Sequence, residues 1–416
     1  MLVEFSVANF RSIRERQTLS LVAAAAGEHR DRNVVADPAP ATPPLVRSAV
    51  IYGANAAGKS NLLLALEFME RLVLDSARES RVGDSIPVIP FRLDEESEAL
   101  ASEFEIVFVQ DAVRFQYGFK LNRSEVLAEW LVAYPEGRPQ RWFERGEGDH
   151  WYFGPNLKAR RSHALWRDAT RGNALFLSTA VHLNAEQLLP VHDWFRNRLR
   201  FIGQGAQISA AFTLQRCERS ASERERVANF LGVADLAISG VEVERQKVNE
   251  ASLPDNMPDT IRRALVASGL VVARTLHRKA SGETVAFDLE EESHGTRKLF
   301  ALAGPWLDVL TNGWVLVVDE LDTSLHPYLM RHIVGMFHDP AINQRQAQLV
   351  FTTHDTTMLD PDIFRRDQIW FVEKDKSAQS QLYPLTDFSP RKGENFERGY
   401  LHGRYGAVPF VGEWRM

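Results

Sequence analysis

The sequence predicts an α/β fold in which a mixed, largely parallel central sheet carries an antiparallel β lobe and an inserted helical subdomain. Three observations lead there. "SAVIYG", "WVLVVDE", "AQLVFTTH" and "QIWFVE" are short, uninterrupted apolar runs, as expected of strands buried on both faces of a parallel sheet. Helical patterns separate them, so strand and helix alternate toward the end of the chain. Between the two halves, Phe104, Ile106 and Phe108, then Val113, Phe115, Tyr117 and Phe119, repeat at period two around a turn at Asp111-Ala112, the pattern of an antiparallel hairpin.

Each element follows from its own residues. Residues 2–21 read as a strand, a turn at "NFRS" and a second strand, while "AAAAGEHRDRNVVADPAPATPP" is small, polar and proline-rich, hence a surface loop. "SAVIYG" runs into a glycine loop, and "KSNLLLALEFMERLVLDSAR" continues as an amphipathic helix. After the hairpin, "VLAEWLVAYP", "RWFERG" and "DHWYFG" add short strands. "NAEQLLPVHDWFRNRLRF" and "SASERERVANFLG" read as helices, the second opened by a capping box of Ser220 and Glu223. "GLVVARTLHRK" and "ETVAFDL" return to strand. The expected organisation is residues 1–100 as the first part of a head, 101–156 as the β lobe, 157–260 as the helical insert and 261–416 as the second part of the head.

Composition narrows the function. The 416 residues are 44% hydrophobic and 25% charged, an ordinary globular balance. A net charge of −6 and a pI near 6.1 exert no global pull on nucleic acid, so such a contact needs a local basic patch. The single cysteine, Cys217, forms no intrachain disulfide, and "MLVEFSVANFRS" has no basic segment ahead of an apolar run. No apolar window approaches the ~20 residues that span a bilayer. A cytoplasmic protein with no membrane partner is expected.

The chemistry starts at "GANAAGKSN". Gly53, Ala54, Asn55, Ala56, Ala57, Gly58, Lys59, Ser60 and Asn61 carry the spacing G-x-x-x-x-G-K-[ST]. In such a loop backbone N–H groups wrap a triphosphate, the lysine reaches the outer phosphates and the hydroxyl holds a magnesium ion. ATP and Mg2+ are therefore the expected cofactors. The loop needs a carboxylate from the end of another strand of its sheet. Asp319, at the end of "WVLVVDE", supplies it as a second metal ligand beside Ser60, and Glu320 stands where a water could be oriented against the γ-phosphate. Upstream, Ser293 and Gly295 in "EESHGTRKLF" open a helix whose N-terminus attracts anions, although a serine there also serves as a plain cap. Two basic clusters, Lys158, Arg160 and Arg161, then Arg196, Arg198 and Arg200, with Trp166 and Trp194 nearby for stacking, suit either a nucleic-acid stripe on the helical insert or a solvated helix face.

With "DELDTSLHP" after the acid pair and "FTTHDTTMLD" closing the next strand, the chain resembles the ATP-binding-cassette ATPases of the SMC and RecF kind. The resemblance implies an ABC-type ATPase head with Ser293 and Gly295 as signature, Glu320 as catalytic base, Asp322 to Leu325 as D-loop and His354 as γ-phosphate sensor. "NFRSI" resembles the basic turn of these proteins, which implies a nucleotide contact for Arg11. The signature departs from the longer Ser-Gly-Gly form at His294 and Thr296, and "IPVIPFRLDEES", where a Q-loop would fall, holds no glutamine. The resemblance further implies that two subunits pair head to tail, each signature closing over the other's ATP, in a homodimer or a higher even-numbered homo-oligomer.

No long heptad pattern is present, and no Toprim-like acidic cluster follows His354. What remains resembles the AAA15-type, RloA-like bacterial ATPases, through "GNALFLSTAVHLNAEQLLPVHDWF", "SLHP" and "GRYGAVPF". That implies a phage-defence role beside a separately encoded effector, a Toprim-like nuclease or a toxin. An ATP-binding scaffold with incidental hydrolysis and a RecF-like protein that clamps DNA are the alternatives. Glu320 favours turnover, because a scaffold needs no water-orienting carboxylate.

Overall fold

The computed structural model describes residues 1–416 except 147, 149, 204–208, 234–236, 251–252, 255–256, 392 and 410–416, together with the side chains of 264 and 265. Phe410, the last residue of "GRYGAVPF", lies outside the described residues. The strands in chain order are β1 (Leu2–Ala8), β2 (Gln17–Ser20), β3 (Val34–Val35), β4 (Leu45–Val46), β5 (Ser48–Tyr52), β6 (Ser102–Gln110), β7 (Val113–Leu121), β8 (Val126–Tyr134), β9 (Gln140–Gly146), β10 (His150–Phe153), β11 (Leu199–Ile202), β12 (Ile238–Gln246), β13 (Leu270–Arg278), β14 (Thr284–Asp288), β15 (Val315–Val318), β16 (Gln348–Thr352), β17 (Ile369–Lys374) and β18 (Ser380–Pro384). Two compact units share them. One comprises Met1–Gln204, Leu310–Leu321 and Arg331–Met416, the other Gly205–Val309 and Asp322–Met330. Among the described residues no helix is long and apolar enough to cross a membrane.

The first unit is built on two sheets. A six-stranded sheet, in the order β11-β15-β16-β5-β17-β18, is parallel except for β18, so the mixed central sheet expected from the apolar runs is present. Every residue of β5, β15 and β16 is buried, which is why these strands read as unbroken apolar runs rather than alternating ones. The second sheet is antiparallel, in the order β10-β9-β8-β7-β6-β1-β2, so the first two strands of the chain extend the hairpin sheet. Asp111 and Ala112, at φ 50° and 59°, give its central hairpin a two-residue turn with both residues left-handed, the geometry that matches strand twist. One apolar cluster joins both sheets to the helix Lys59–Asp75, through Ile51 and Val350, Leu66 and Met69, and Phe104 and Phe119. A buried carboxylate ties β8 to the helix Phe176–His182. Glu129 accepts from the Tyr117 hydroxyl at 2.9 Å and from the amides of Phe176 and Leu177 at 2.6 and 2.9 Å, and burial pushes its carboxyl upward.

Three stretches differ from the sequence expectation. The polar segment after β2 is not all loop: Val34 and Val35 are buried and pair with Leu45 and Val46, and Asn33 donates to the Ile363 carbonyl and to Gln368 Oε1. Two adjacent valines are too short a signal for any periodicity to register. "NAEQLLPVHDWFRNRLRF" is not one helix. It breaks into Glu186–Leu188, Leu189–Asp193 and a π-turn at Trp194–Arg198, and its last apolar residues leave as β11, parallel to β15. Buried Leu188, Val191, Trp194, Phe195 and Leu199 mimic helical spacing while serving a tightly turning segment. Finally, Ser220 accepts from the Glu223 amide at 3.1 Å, but the Glu223 carboxylate pairs with Arg216 and Arg226, so the cap is made in one direction.

The second unit contains the helices Ala211–Arg219 and Ala221–Gly232, the antiparallel sheet β12-β13-β14 and the helix His294–Asn312 as far as Val309. Gly304 permits close helix packing there, since a Cβ on it would lie 2.6 Å from Thr213 Oγ1. Arg216, only 5% exposed, is neutralised by Glu223 and by Asp308 at 2.7 Å.

Candidate functional site

Parallel register sets the geometry of the first unit. Thr352 of β16 stands opposite Ile51 of β5, and Val318 of β15 stands opposite Phe351, so three strands end at one edge of the sheet. Gly53, Asp319 and Thr353 leave from that edge, which is where α/β sheets bind ligands.

The loop after β5 has little conformational freedom. A Cβ on Gly53 would fall 2.3 Å from the Val372 carbonyl oxygen; Gly58 has φ 111°, and a Cβ there would meet Ser380 Oγ at 2.1 Å. Asn55 and Ala56 are exposed at the tip, whereas Ala57 is buried and its carbonyl accepts from Ser380 Oγ at 2.6 Å. Lys59 folds back across the loop, donating to the carbonyls of Gly53 at 2.8 Å and Ala54 at 3.1 Å. The Lys59–Asp75 helix thus presents its positive end, with Ser60 in its first turn, where the loop closes.

The "NFRS" turn is joined to this loop. Ser12 Oγ bonds Ser380 Oγ at 2.7 Å and accepts from Asn61 Nδ2 at 2.7 Å. Arg11, at φ 52°, occupies the exposed tip with its guanidinium 5.7 Å from the centre of the Phe10 ring. It lines a cavity of about 360 Å³ that runs along the helix past Leu64, Phe68 and Leu72.

The acid pair is held by a residue the sequence pattern did not single out. Thr352 Oγ1 donates to Asp319 Oδ1 at 2.6 Å and accepts from the Glu320 amide at 2.7 Å. Asp319 is also anchored by its own amide to the Ile202 carbonyl of β11. Its remaining oxygen, Oδ2, and the Ser60 hydroxyl are hard oxygen donors, which fits a magnesium ion that takes most of its other ligands from phosphate and water. His354 follows β16 and is exposed, while the Tyr52 hydroxyl, at the end of β5, donates to the Asp355 carbonyl at 3.2 Å.

In the second unit, Ser293 performs the ordinary capping role: its Oγ accepts from the Thr296 amide at 3.1 Å. Ser293 and His294 are nonetheless exposed. Residues 322–325, expected as a D-loop, pack on the same helix start. Lys298 Nζ donates to the Thr323 carbonyl, and a Cβ on Gly295 would sit 3.4 Å from the Ser324 carbonyl oxygen. Ser293, Gly295 and residues 322–325 therefore form one local surface.

The stacking role considered for the tryptophans is excluded by burial. Trp166 is 5% exposed, and Trp194 is fully buried with its ring 4.4 Å from that of Phe108. Bases cannot reach either one. Arg198 and Arg200 are drawn onto the protein itself, Arg198 donating to the Asn312 carbonyl and Arg200 lying 4.4 Å over the Trp314 ring. Lys158, Arg160 and Arg161 are exposed.

A constrained glycine loop at the end of one parallel strand and an acid pair at the end of another define a P-loop ATPase domain. The chain belongs to the family described as "AAA domain, putative AbiEii toxin, Type IV TA system", whose model matches residues 48–360. No curated protein matches the sequence. Two solved structures are similar at low identity. One, "Crystal structure of the SmcHead bound to the C-winged helix domain of ScpA", is 15% identical over 92% of this chain and 97% of that one, with a TM-score of 0.43. The other, "Structure of the recombination mediator protein RecF-ATP in RecFOR pathway", is 16% identical over 85% and 93%, with a TM-score of 0.32.

Proposed function

We propose that the chain binds ATP on its glycine loop and hydrolyses it in a composite site made head to tail with a second copy. The cycle regulates a separately encoded effector, a nuclease or toxin, in defence against phage. The observation that carries the ATPase reading is the placement of Asp319 and Glu320 across a single intervening strand, β16, from the phosphate loop, on the sheet edge where that loop also emerges.

In this reading the loop amides and Lys59 hold the phosphates, and Arg11 adds a contact from its turn. Ser60 and Asp319 would hold a magnesium ion, which would supply positive charge against the phosphates. Glu320 orients a water and accepts its proton, and His354 senses the γ-phosphate. Ser293 and Gly295 come from the second copy, whose exposed helix start offers a hydroxyl and backbone amides to the phosphates. The family description names the AAA domain itself as a putative toxin of a type IV toxin–antitoxin system, which supports a toxin–antitoxin setting, while the separate effector rests on the resemblance to defence ATPases alone.

A Glu320→Gln variant tests the chemistry. Phosphate release is expected to fall by roughly 100-fold or more, the usual contribution of a general base, while ATP binding persists and ATP-bound dimers accumulate. Unchanged release removes Glu320 from the reaction.

A further inference from the structure

We infer that Thr352 is a positioning residue that holds the two acids as a single unit, an inference that rests on the ATPase reading above. The Thr352 side chain is fully buried, and its one hydroxyl proton goes to Asp319 Oδ1 while its lone pair takes the Glu320 amide. Its backbone carbonyl accepts from the Leu321 amide at 3.1 Å. Three consecutive residues beyond β15 are thus secured by one residue of the neighbouring strand. The regular ladder between these strands ends at Val318 and Phe351, so the threonine continues it with a side chain in place of backbone.

The conformation of Glu320 shows what this anchoring achieves. In an extended strand, adjacent side chains point to opposite faces of the sheet, so neighbouring acids would not serve one site. Glu320 has φ 51°, a left-handed turn that removes the alternation and that a non-glycine residue adopts only at an energetic cost. The bond from its amide to Thr352 Oγ1, and that from the next amide to the Thr352 carbonyl, oppose relaxation to an extended form. The same hydroxyl occupies Oδ1 of Asp319 and so fixes which carboxylate oxygen remains for a cation. Valine matches threonine in shape but would leave the Glu320 amide without its acceptor and Asp319 free to rotate.

The test compares Thr352→Val, Thr352→Ser and Glu320→Gln with the wild type. In Thr352→Val, kcat is expected to drop by roughly 10–100-fold with little change in KM, as for a displaced catalytic group. ADP affinity without magnesium stays the same, and the gain in ATP affinity on adding magnesium shrinks several-fold. In the nucleotide-free protein, amide exchange at Glu320 accelerates. Thr352→Ser keeps the hydroxyl and restores all three properties. A Thr352→Val protein with wild-type kcat, magnesium dependence and exchange overturns the inference, and so does a Thr352→Ser protein as impaired as the valine variant. If Glu320→Gln turns over like wild type, the failure lies in the ATPase reading itself, and the inference falls with it.

Discussion

At the scale of single residues, the phosphate loop was legible because its chemistry is local. Gly53, Gly58, Lys59 and Ser60 are spaced by what a triphosphate demands, and Asp319 and Glu320 follow an apolar run that could only be a buried strand. Thr352, Ser12 and Ser380 were not legible: each acts on a partner brought to it by the fold, Ser12 and Ser380 being 368 positions apart. The two tryptophans show the converse error, because a residue's type says what it could stack on but not whether it is buried. The loop glycine carries a prediction at this scale. Gly58→Ala places a methyl group against Ser380 Oγ, which is already bonded to Ala57 and Ser12, and in a backbone conformation that L-residues avoid. It should lower stability by about 1–3 kcal/mol, as overpacking does, and abolish ATP binding. Thermal melts and an ATP titration read both; a variant that binds ATP normally shows the loop is not held as described.

At the scale of elements, strands and helices with strong periodicity were found where their residues placed them, from the Asp111-Ala112 hairpin to the helix Lys59–Asp75. Segments shaped by tertiary packing were not. Strand β11 is four residues long and exists because β15 offers an unpaired edge, which no local pattern encodes. The helix Lys59–Asp75 carries its own strain. Burial, reinforced by the neighbouring Glu67, pushes the Glu70 carboxyl up to about 7. Its folded value lies above the unfolded one, so the folded state binds the proton more tightly. The stability this gives is fully present below about pH 4.5 and is lost as pH rises to about 7. Glu70→Gln should therefore melt at a higher temperature than wild type at about pH 8 and show no such advantage at about pH 4. Equal melting differences at the two pH values would place Glu70 in a solvated setting instead.

At the scale of the whole molecule, motif order in the sequence pointed to an ATPase, and the family match over residues 48–360 agrees at the level of an AAA-type ATPase domain. Ser293, Gly295 and residues 322–325 lie together at one helix start, whereas the loop and acid pair share an edge of the parallel sheet. Each chain is proposed to hold half of two sites rather than one whole site. The effector belongs to this scale too, and its identity is not written in any motif of the chain, because regulation depends on surfaces rather than on spaced catalytic residues.

A mixing experiment tests the composite site most directly. Lys59→Ala removes the phosphate lysine and Ser293→Arg obstructs the signature, so each variant alone should release almost no phosphate. In a head-to-tail dimer of the two, one site keeps both an intact loop and an intact signature. Equal amounts combined are expected to recover about a quarter of wild-type turnover, since half the dimers are mixed and each has one complete site of two. No recovery at any ratio, with both variants folded, contradicts the account.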